Sequence, residues 1–181
     1  MLVTRLDPGH AEPYRRLMLD AYALHPDAFT SSVAERSGLP LSWWAGRLAA
    51  DAAANEVVFG AFVREELAGV AGLSFEAREK TRHKATLFGL YVPDGFRKQG
   101  LGRQLVRAAL CHAGNRPGTR LVQLTVTEGN APARRLYEAS GFVPFGVEPF
   151  AVRVGAGYVS KVHMWRDLSL PAGNDAAQPE R

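Results

Sequence analysis

Residues 90–105 read LYVPDGFRKQGLGRQL, and this stretch takes the chain from an apolar strand into a helix through glycines and cations. The N-terminus of a helix presents unpaired N–H groups and the positive end of the helix dipole, so it attracts anions. Gly100 and Gly102 lack Cβ atoms, which lets a pyrophosphate approach the amides of residues 98–103. Three basic residues add positive charge there: Arg97, Lys98 and Arg103. The stretch favours a phosphate-binding helix entry, against the alternative of a glycine-rich helix start with solvated basic side chains.

Two other phosphate-binding motifs do not fit this stretch. Residues 100–105 lack the third glycine of the dinucleotide fingerprint, and no acidic residue follows in a strand context about 20 residues later. The sequence also has no Gly-Lys-Ser/Thr segment, so the lysine and the magnesium-binding hydroxyl of a P-loop are missing. A Rossmann dehydrogenase and a P-loop kinase or nucleotidase are thereby disfavoured.

The hydrophobic pattern on either side predicts a series of strands and helices. Strand patterns mark seven segments, at residues 2–6, 57–63, 67–75, 85–92, 121–126, from 142 onward, and 158–165. Helical patterns mark four segments, at residues 8–22, 41–50, 100–113 and 131–140. Residues 27–38 are polar and are expected to form a loop. This order predicts an α+β (α/β mixed) fold, with a central, mostly antiparallel mixed sheet of about seven strands flanked by four helices.

Length and composition indicate one folded domain. The 181 residues suit a single domain, which we place at residues 1–168, and residues 169–181 are expected to form a disordered tail. No run approaches the roughly 18 to 20 apolar residues of a membrane helix, and the first residues lack the pattern of a signal peptide. The single cysteine, Cys111, cannot form an internal disulfide. It lies in the middle of a predicted helix and is expected to be a packing residue and not a nucleophile. We therefore expect a cytoplasmic protein.

The charge balance indicates an anionic partner. The formal net charge is +4, and the sequence shows neither zinc-finger spacing nor an RNA-recognition motif. A phosphorylated cofactor explains the charge more economically than nucleic acid does, so nucleic-acid binding is disfavoured. The five histidines show no metal-ligand spacing, and no metal is expected.

Two separated blocks resemble a known family in the right order. Residues 97–102, RKQGLG, match the Arg/Gln-x-x-Gly-x-Gly/Ala signature of the GNAT superfamily of acyl-CoA-dependent N-acyltransferases, after a strand and a Val-x-Pro-like segment. Residues 124–142, LTVTEGNAPARRLYEASGF, resemble the family's block of strand, Asn, helix, Tyr and Gly-Phe. The matching core covers about residues 56–147. The resemblance implies a GNAT-like fold and an acetyl transfer from acetyl-CoA to an amine.

The resemblance also implies which residues contact the cofactor. The pyrophosphate is expected on the amides of Lys98 to Arg103, and the pantetheine arm on main-chain groups of Leu90 and Val92. The helix after residue 129 contributes Asn130 and Tyr137. The full set of implied cofactor-binding residues is Leu90, Val92, Arg97, Lys98, Gln99, Gly100, Leu101, Gly102, Arg103, Asn130 and Tyr137.

Three roles have to be filled when an amine attacks a thioester: an oxyanion donor, an acid for the thiolate and a route for the amine's proton. The resemblance implies that a main-chain N–H near Val92, exposed where two strands splay apart, is the oxyanion donor. The resemblance implies that Tyr137 is the acid, whereas from the sequence alone it is equally a packed ring. No carboxylate lies in residues 86–90, where some family members have one, so Glu76 and His83 are the candidate bases, acting directly or through water, with solvent as the alternative.

Several alternatives remain open at this point. A non-catalytic acyl-CoA-binding module would bind the cofactor without turnover, and a nucleic-acid-binding domain would show salt-dependent affinity for DNA or RNA. The sequence does not identify the amine acceptor or the preferred acyl chain. One aromatic group belongs either to the acceptor pocket or to the core: Tyr22, Phe29, Trp43 and Trp44. Apolar residues of the last strand would suit a homodimer interface: Val159, Val162, Met164 and Trp165.

Overall fold

The structure is a computed structural model that describes residues 1–170, so the predicted tail beyond Leu170 lies outside the described residues. Its strands are β1 (Leu2–Arg5), β2 (Glu56–Val63), β3 (Glu66–Phe75), β4 (Lys84–Tyr91), β5 (Leu121–Thr127), β6 (Val143–Val154) and β7 (Gly157–Asp167). Its helices are α1 (Ala11–Leu24), α2 (Val33–Ser37), α3 (Leu41–Gly46), α4 (Leu101–Asn115) and α5 (Ala131–Glu138), with 3₁₀ turns at Pro8–His10 and Asp94–Phe96. The predicted α+β class and the seven strands are confirmed.

Helix α2 lies inside the segment that the sequence predicted to be a loop. A reciprocal pair of hydrogen bonds starts it: the Glu35 N–H donates to Ser32 Oγ at 3.2 Å, and the Ser32 N–H donates to Glu35 Oε2 at 2.8 Å. This Ser-x-x-Glu capping box stabilises a helix start without any apolar periodicity. The described chain therefore has five α-helices where the hydrophobic pattern predicted four.

The seven strands form one sheet in the order β1-β2-β3-β4-β5-β7-β6, and every neighbouring pair is antiparallel except β4 and β5. The parallel pair is short. It ends where Thr86 meets Gln123, whose Nε2 donates to Thr86 Oγ1 at 3.3 Å. Beyond this point β4 and β5 separate, and the sheet has a gap in its middle.

A bulge in β4 coincides with the start of this gap. Between the pairs Gly72–Phe88 and Val70–Tyr91, β4 carries one residue more than β3. Gly89 has a φ of 62°, which glycine adopts without the strain that a side chain would bring. The bulge changes which main-chain groups of β4 face β3 and which face the gap.

Helices cover the two faces of the sheet unequally. Helix α4 packs its apolar stripe on one face, and α1 and α3 pack on the other, over β2, β3 and the end of β4. Trp44 is fully buried on the α1 side and contacts Tyr14 edge-on, so it belongs to the core and not to an acceptor pocket. Cys111 is exposed, which corrects the prediction of a packed cysteine: it lies on α4 outside the buried stripe.

The apolar residues expected to support a dimer are largely inside the molecule. Val162 and Met164 are buried in the core under α4, because alternate residues of β7 point to that face. The exposed apolar side chains of this region lie instead on β6 and the start of β7: Phe145, Val147, Phe150 and Tyr158.

Candidate active site

A cleft of about 600 Å³ lies beside the end of β4, beyond the last residues of β4 that pair with β5. Four parts of the chain form most of its wall: the end of β4, the loop that leads into α4, the first turn of α4 and the first turns of α5. The loop after α1 closes the remaining side with His25, Ala28 and Phe29. The cleft therefore extends from the N-terminus of α4 along the end of β4 that does not pair with β5.

Main-chain N–H groups at the start of α4 border the mouth of this cleft. Lys98 and Gly100 have positive φ values of 61° and 80°, and Gly100 is the N-cap without any side-chain cap. Gln104 donates to the Gly100 carbonyl at 3.1 Å, so the N–H groups of residues 101–103 have no intrahelical partner. Alternating turns of this kind and a helix N-terminus together form a site for an anion.

Gly100 and Gly102 are required for different reasons. A Cβ at Gly100 would contact nothing within 4 Å, so its positive φ is what favours glycine there. A Cβ at Gly102 would lie 3.2 Å from Leu136 Cδ2, so this glycine allows α5 to approach α4 closely. The two helices consequently place their N-terminal turns on the same cleft.

The basic residues at the mouth have different partners. Arg97 ties the loop together, because its Nε donates to the Val92 carbonyl at 2.9 Å and its Nη1 pairs with Asp94 at 2.6 Å. Its Nη2 lies 3.1 Å from His25 Nε2. Lys98 and Arg103 are exposed and form no ion pair with another described residue. Two cations therefore stand beside the unpaired N–H groups with their charge available to an anion.

Helix α5 contributes Asn130 to the cleft and Tyr137 beside it. Asn130 caps the helix, and its Oδ1 accepts a hydrogen bond from the Ala133 N–H at 3.3 Å. Tyr137 lies two turns later, is buried, and packs edge-on against Phe142 with ring centroids 5.9 Å apart. Burial raises the pKa of the Tyr137 phenol well above its usual range. Tyr137 does not belong to the lining, although its neighbour Leu136 does.

The cleft collects nearly all of the residues that the sequence analysis named for cofactor binding. Besides Tyr137, the exception is Gln99, whose Nε2 lies 3.5 Å from the Gly95 carbonyl outside the lining. The others line one continuous surface: Leu90, Val92, Arg97, Lys98, Gly100, Leu101, Gly102, Arg103 and Asn130.

A protein-family model described as "Acetyltransferase (GNAT) family" matches residues 15–142, which is more than half of the chain. The chain belongs to the GNAT acetyltransferase family. This is a family of acyl-CoA-dependent transferases, and the match spans both wall-forming helices of the cleft.

Solved structures show the same fold at low sequence identity. A GNAT-family acetyltransferase from Streptococcus pneumoniae has a TM-score of 0.81 at 23% identity, covering 92% of this chain and 98% of that one. A putative acetyltransferase from Salmonella typhimurium, solved with its cofactor acetyl-CoA, has a TM-score of 0.76 at 19% identity, covering 98% and 99%. A ribosomal-protein-alanine N-acetyltransferase from Brucella melitensis has a TM-score of 0.75 at 19% identity, covering 92% and 99%. The comparison with curated proteins finds no match.

The structure does not bring the two candidate bases to the site of this GNAT protein. Glu76 and His83 flank the turn between β3 and β4, at the closed end of the β4–β5 pair, where the His83 carbonyl accepts hydrogen bonds from Arg120 and Leu121. The first residue of β4 in the cleft lining is Leu90. At the rise per residue of an extended strand it lies about 20 Å from His83. The structure therefore does not place Glu76 or His83 in the cleft lining, because the length of β4 separates them from it.

A pair of titratable residues that the sequence analysis did not select lies closer to the gap. His163 on β7 is directly opposite Thr125 on β5, which is two residues beyond the last β4–β5 pair. Its Nε2 lies 2.8 Å from Glu148 Oε2 on β6. Opposite residues of an antiparallel pair share a face, so His163 lies on the sheet face of Thr125 and Gln123, away from α4. A bulge in β6 sets this pairing, so no sequence spacing could have indicated it.

Within residues 1–170, no group of three or more His, Cys, Asp or Glu side chains is placed to hold a metal ion. In the same part of the chain no helix is both long and apolar enough to cross a membrane.

Proposed function

We propose that this protein is an N-acetyltransferase that moves the acetyl group of acetyl-CoA directly to a primary amine. One observation carries the proposal: a mouth of unpaired N–H groups and cations leads into an apolar gap between β4 and β5. Acetyl-CoA has the matching layout, with a diphosphate followed by a long uncharged arm that ends in the thioester. Membership of the GNAT family and the fold shared with a relative solved with acetyl-CoA support it.

In this proposal the described residues divide the cofactor between them. The amides of residues 98–103 receive the diphosphate, with Lys98 and Arg103 supplying charge. Leu90 and Val92 pair with the arm through their main chain. Because the Val92 carbonyl already accepts a hydrogen bond from Arg97, we assign the Val92 N–H to the arm. Asn130 borders the same path at the start of α5.

The transfer forms a C–N bond and breaks a C–S bond. The neutral amine attacks the thioester carbonyl, and a main-chain N–H at the β4 bulge stabilises the developing oxyanion. One proton of the nitrogen leaves to a base, and Tyr137 gives a proton to the departing sulfur. A thiol with a pKa of about 8.5 is a good leaving group, so this acid contributes a moderate factor to the rate.

We assign to His163 the role of the base that accepts the amine's proton. Glu148 positions the imidazole on the open sheet face beside the gap. The His163→Gln variant is expected to lower kcat about tenfold while the KM for acetyl-CoA stays unchanged, because the residue faces the acceptor side. Steady-state kinetics with saturating amine measures this. The matched control is His83→Gln at the far end of β4, which should keep wild-type kcat. A lowered kcat in His83→Gln with wild-type kcat in His163→Gln would indicate that His83 is the base.

The function itself is tested by titrating acetyl-CoA into the protein in a calorimeter and then following free CoA thiol over a panel of amines. The panel contains a polyamine, an aminoglycoside, free amino acids, and peptides with a free N-terminus or a lysine. Thiol release with one class and not the others supports N-acetyl transfer and identifies the acceptor class. Binding without turnover on any amine would indicate a non-catalytic acyl-CoA-binding module, and absence of binding would remove the proposal.

The proposed compartment is the cytoplasm. The single cysteine is exposed and unpaired among the described residues, which suits a reducing environment.

A further inference from the structure

A short segment after α1, residues 25–29, crosses the gap between β4 and β5, and we call it the strap. On the β4 side, the His25 and Phe29 rings lie 5.7 and 6.3 Å from the Tyr91 ring. On the β5–β7 side, the carbonyls of Asp27 and Ala28 contact Lys161. The strap thus joins the two sides of the sheet in the region where β4 and β5 do not pair, and Ala28 and Phe29 form part of the cleft wall.

Lys161 is buried, with 4% of its surface exposed, and its ammonium group uses all three of its N–H bonds. It donates to Thr127 Oγ1 at 2.7 Å, to the Ala28 carbonyl at 2.9 Å and to the Asp27 carbonyl at 3.2 Å. Thr127 Oγ1 in turn donates to the Asp27 carbonyl at 2.7 Å. The Thr127 hydroxyl proton is already donated to the Asp27 carbonyl, so Thr127 Oγ1 can only accept from Lys161. A neutral amine has two N–H bonds and could not donate to all three acceptors.

This network excludes two other roles for Lys161. Burial lowers the pKa of Lys161, which by itself would suggest a base, yet the three acceptors hold the proton on the nitrogen. The same contacts leave no N–H for a phosphate of the cofactor. The strap contains neither helix nor strand, and its only internal main-chain hydrogen bond joins the Ala28 N–H to the His25 carbonyl. The remaining role for Lys161 is therefore to anchor the strap.

We propose that Lys161 is a positioning residue of the transfer reaction, which holds the strap across the gap so that Ala28 and Phe29 close the α1 side of the path for the acyl-pantetheine arm. This inference rests on the proposed function. With the strap in place, the arm meets a fixed wall, and water has less access to the thioester from the α1 side.

The Lys161→Met variant keeps an unbranched side chain, one atom shorter, and removes the ammonium group. We expect the KM for acetyl-CoA to rise about tenfold with kcat changed less than about threefold, because bonds from a charged donor to the strap are lost while the reacting groups stay. Thioester hydrolysis without amine should increase relative to transfer. Hydrogen exchange at residues 27–29 should accelerate in the absence of any ligand. Lys80→Met, in the exposed β3–β4 turn, is the matched control and should leave all four values unchanged.

Thr127→Val gives a second and milder test, since it removes one of the three acceptors and the bond to Asp27. We expect a smaller rise in the KM for acetyl-CoA and in the rate of hydrogen exchange at residues 27–29 than in Lys161→Met. If Lys161→Met does not fold, Thr127→Val serves as the test. Wild-type KM and wild-type exchange in both folded variants would overturn the proposal, as would accelerated exchange spread over the whole chain, which indicates general destabilisation. If the wild-type protein does not bind acetyl-CoA, the proposed function fails, while local exchange at the strap still decides whether Lys161 anchors it.

Discussion

The Gly102→Glu variant is expected to lose acetyl-CoA affinity by on the order of a hundredfold or more. The new carboxylate would stand in the first turn of α4, where it satisfies the unpaired N–H groups in place of the diphosphate and repels the phosphates. Its Cβ would also lie 3.2 Å from Leu136 Cδ2, so the side chain has little room on the α5 side. An acidic residue in the first turn suits the helix dipole, and the contacting atom is the end of the Leu136 side chain, which has to shift only slightly, so the fold should tolerate the change.

Calorimetric titration of acetyl-CoA measures this effect, with two matched variants beside it. Gly114→Glu adds the same side chain to the same helix at an exposed position where a Cβ would contact nothing within 4 Å, and its affinity should stay within about twofold of wild type. Gly102→Gln keeps the bulk without the charge, and its smaller loss would separate the electrostatic part from the steric part. Wild-type affinity in Gly102→Glu, with unchanged melting temperature, would place the diphosphate somewhere other than the start of α4.

The parts of this site that the sequence could predict are those encoded locally. The passage from β4 into α4 needs a positive φ, an unprotected helix start and nearby cations, and residues 97–103 display all three as a contiguous pattern. The same holds for Asn130, a capping residue directly before a helix with proline in its first turn. The Ser32 capping box was equally local, but a helix of five residues has no apolar periodicity to reveal it.

The parts that could not be predicted depend on which strands become neighbours. The contact between Lys161 and Asp27 joins residues 134 positions apart, and the bond between Thr127 and Asp27 joins residues 100 apart. Glu76 and His83 precede β4 while the cleft lies at its other end, and they became candidates because residues 86–90 carry no carboxylate. Val162 and Met164 read as surface candidates until the sheet order placed α4 over that face of β7.

Tyr137→Phe is expected to lower kcat by between about tenfold and about a hundredfold, with the KM for acetyl-CoA within about twofold of wild type. Tyr137 lies four residues after Ala133 and seven after Asn130, so it lies on the helix face next to these two lining residues, although it is outside the lining itself. Phenylalanine keeps the edge-on contact with Phe142 and removes only the hydroxyl. A change in kcat without a change in KM would therefore report on the phenol as a proton donor.

The pH dependence gives an independent measure of the same role. Burial raises the pKa of Tyr137 above 10, so the phenol stays protonated at neutral and moderately alkaline pH, and ionisation would remove the donor only above that range. The ratio of wild-type to Tyr137→Phe kcat should consequently stay constant from about pH 7 to about pH 9.5. Tyr158→Phe, an exposed tyrosine on β7, makes the same chemical change outside the cleft and should match wild type throughout. If Tyr137→Phe also matched wild type, the ring would act in packing alone, and the thiolate would take its proton from water.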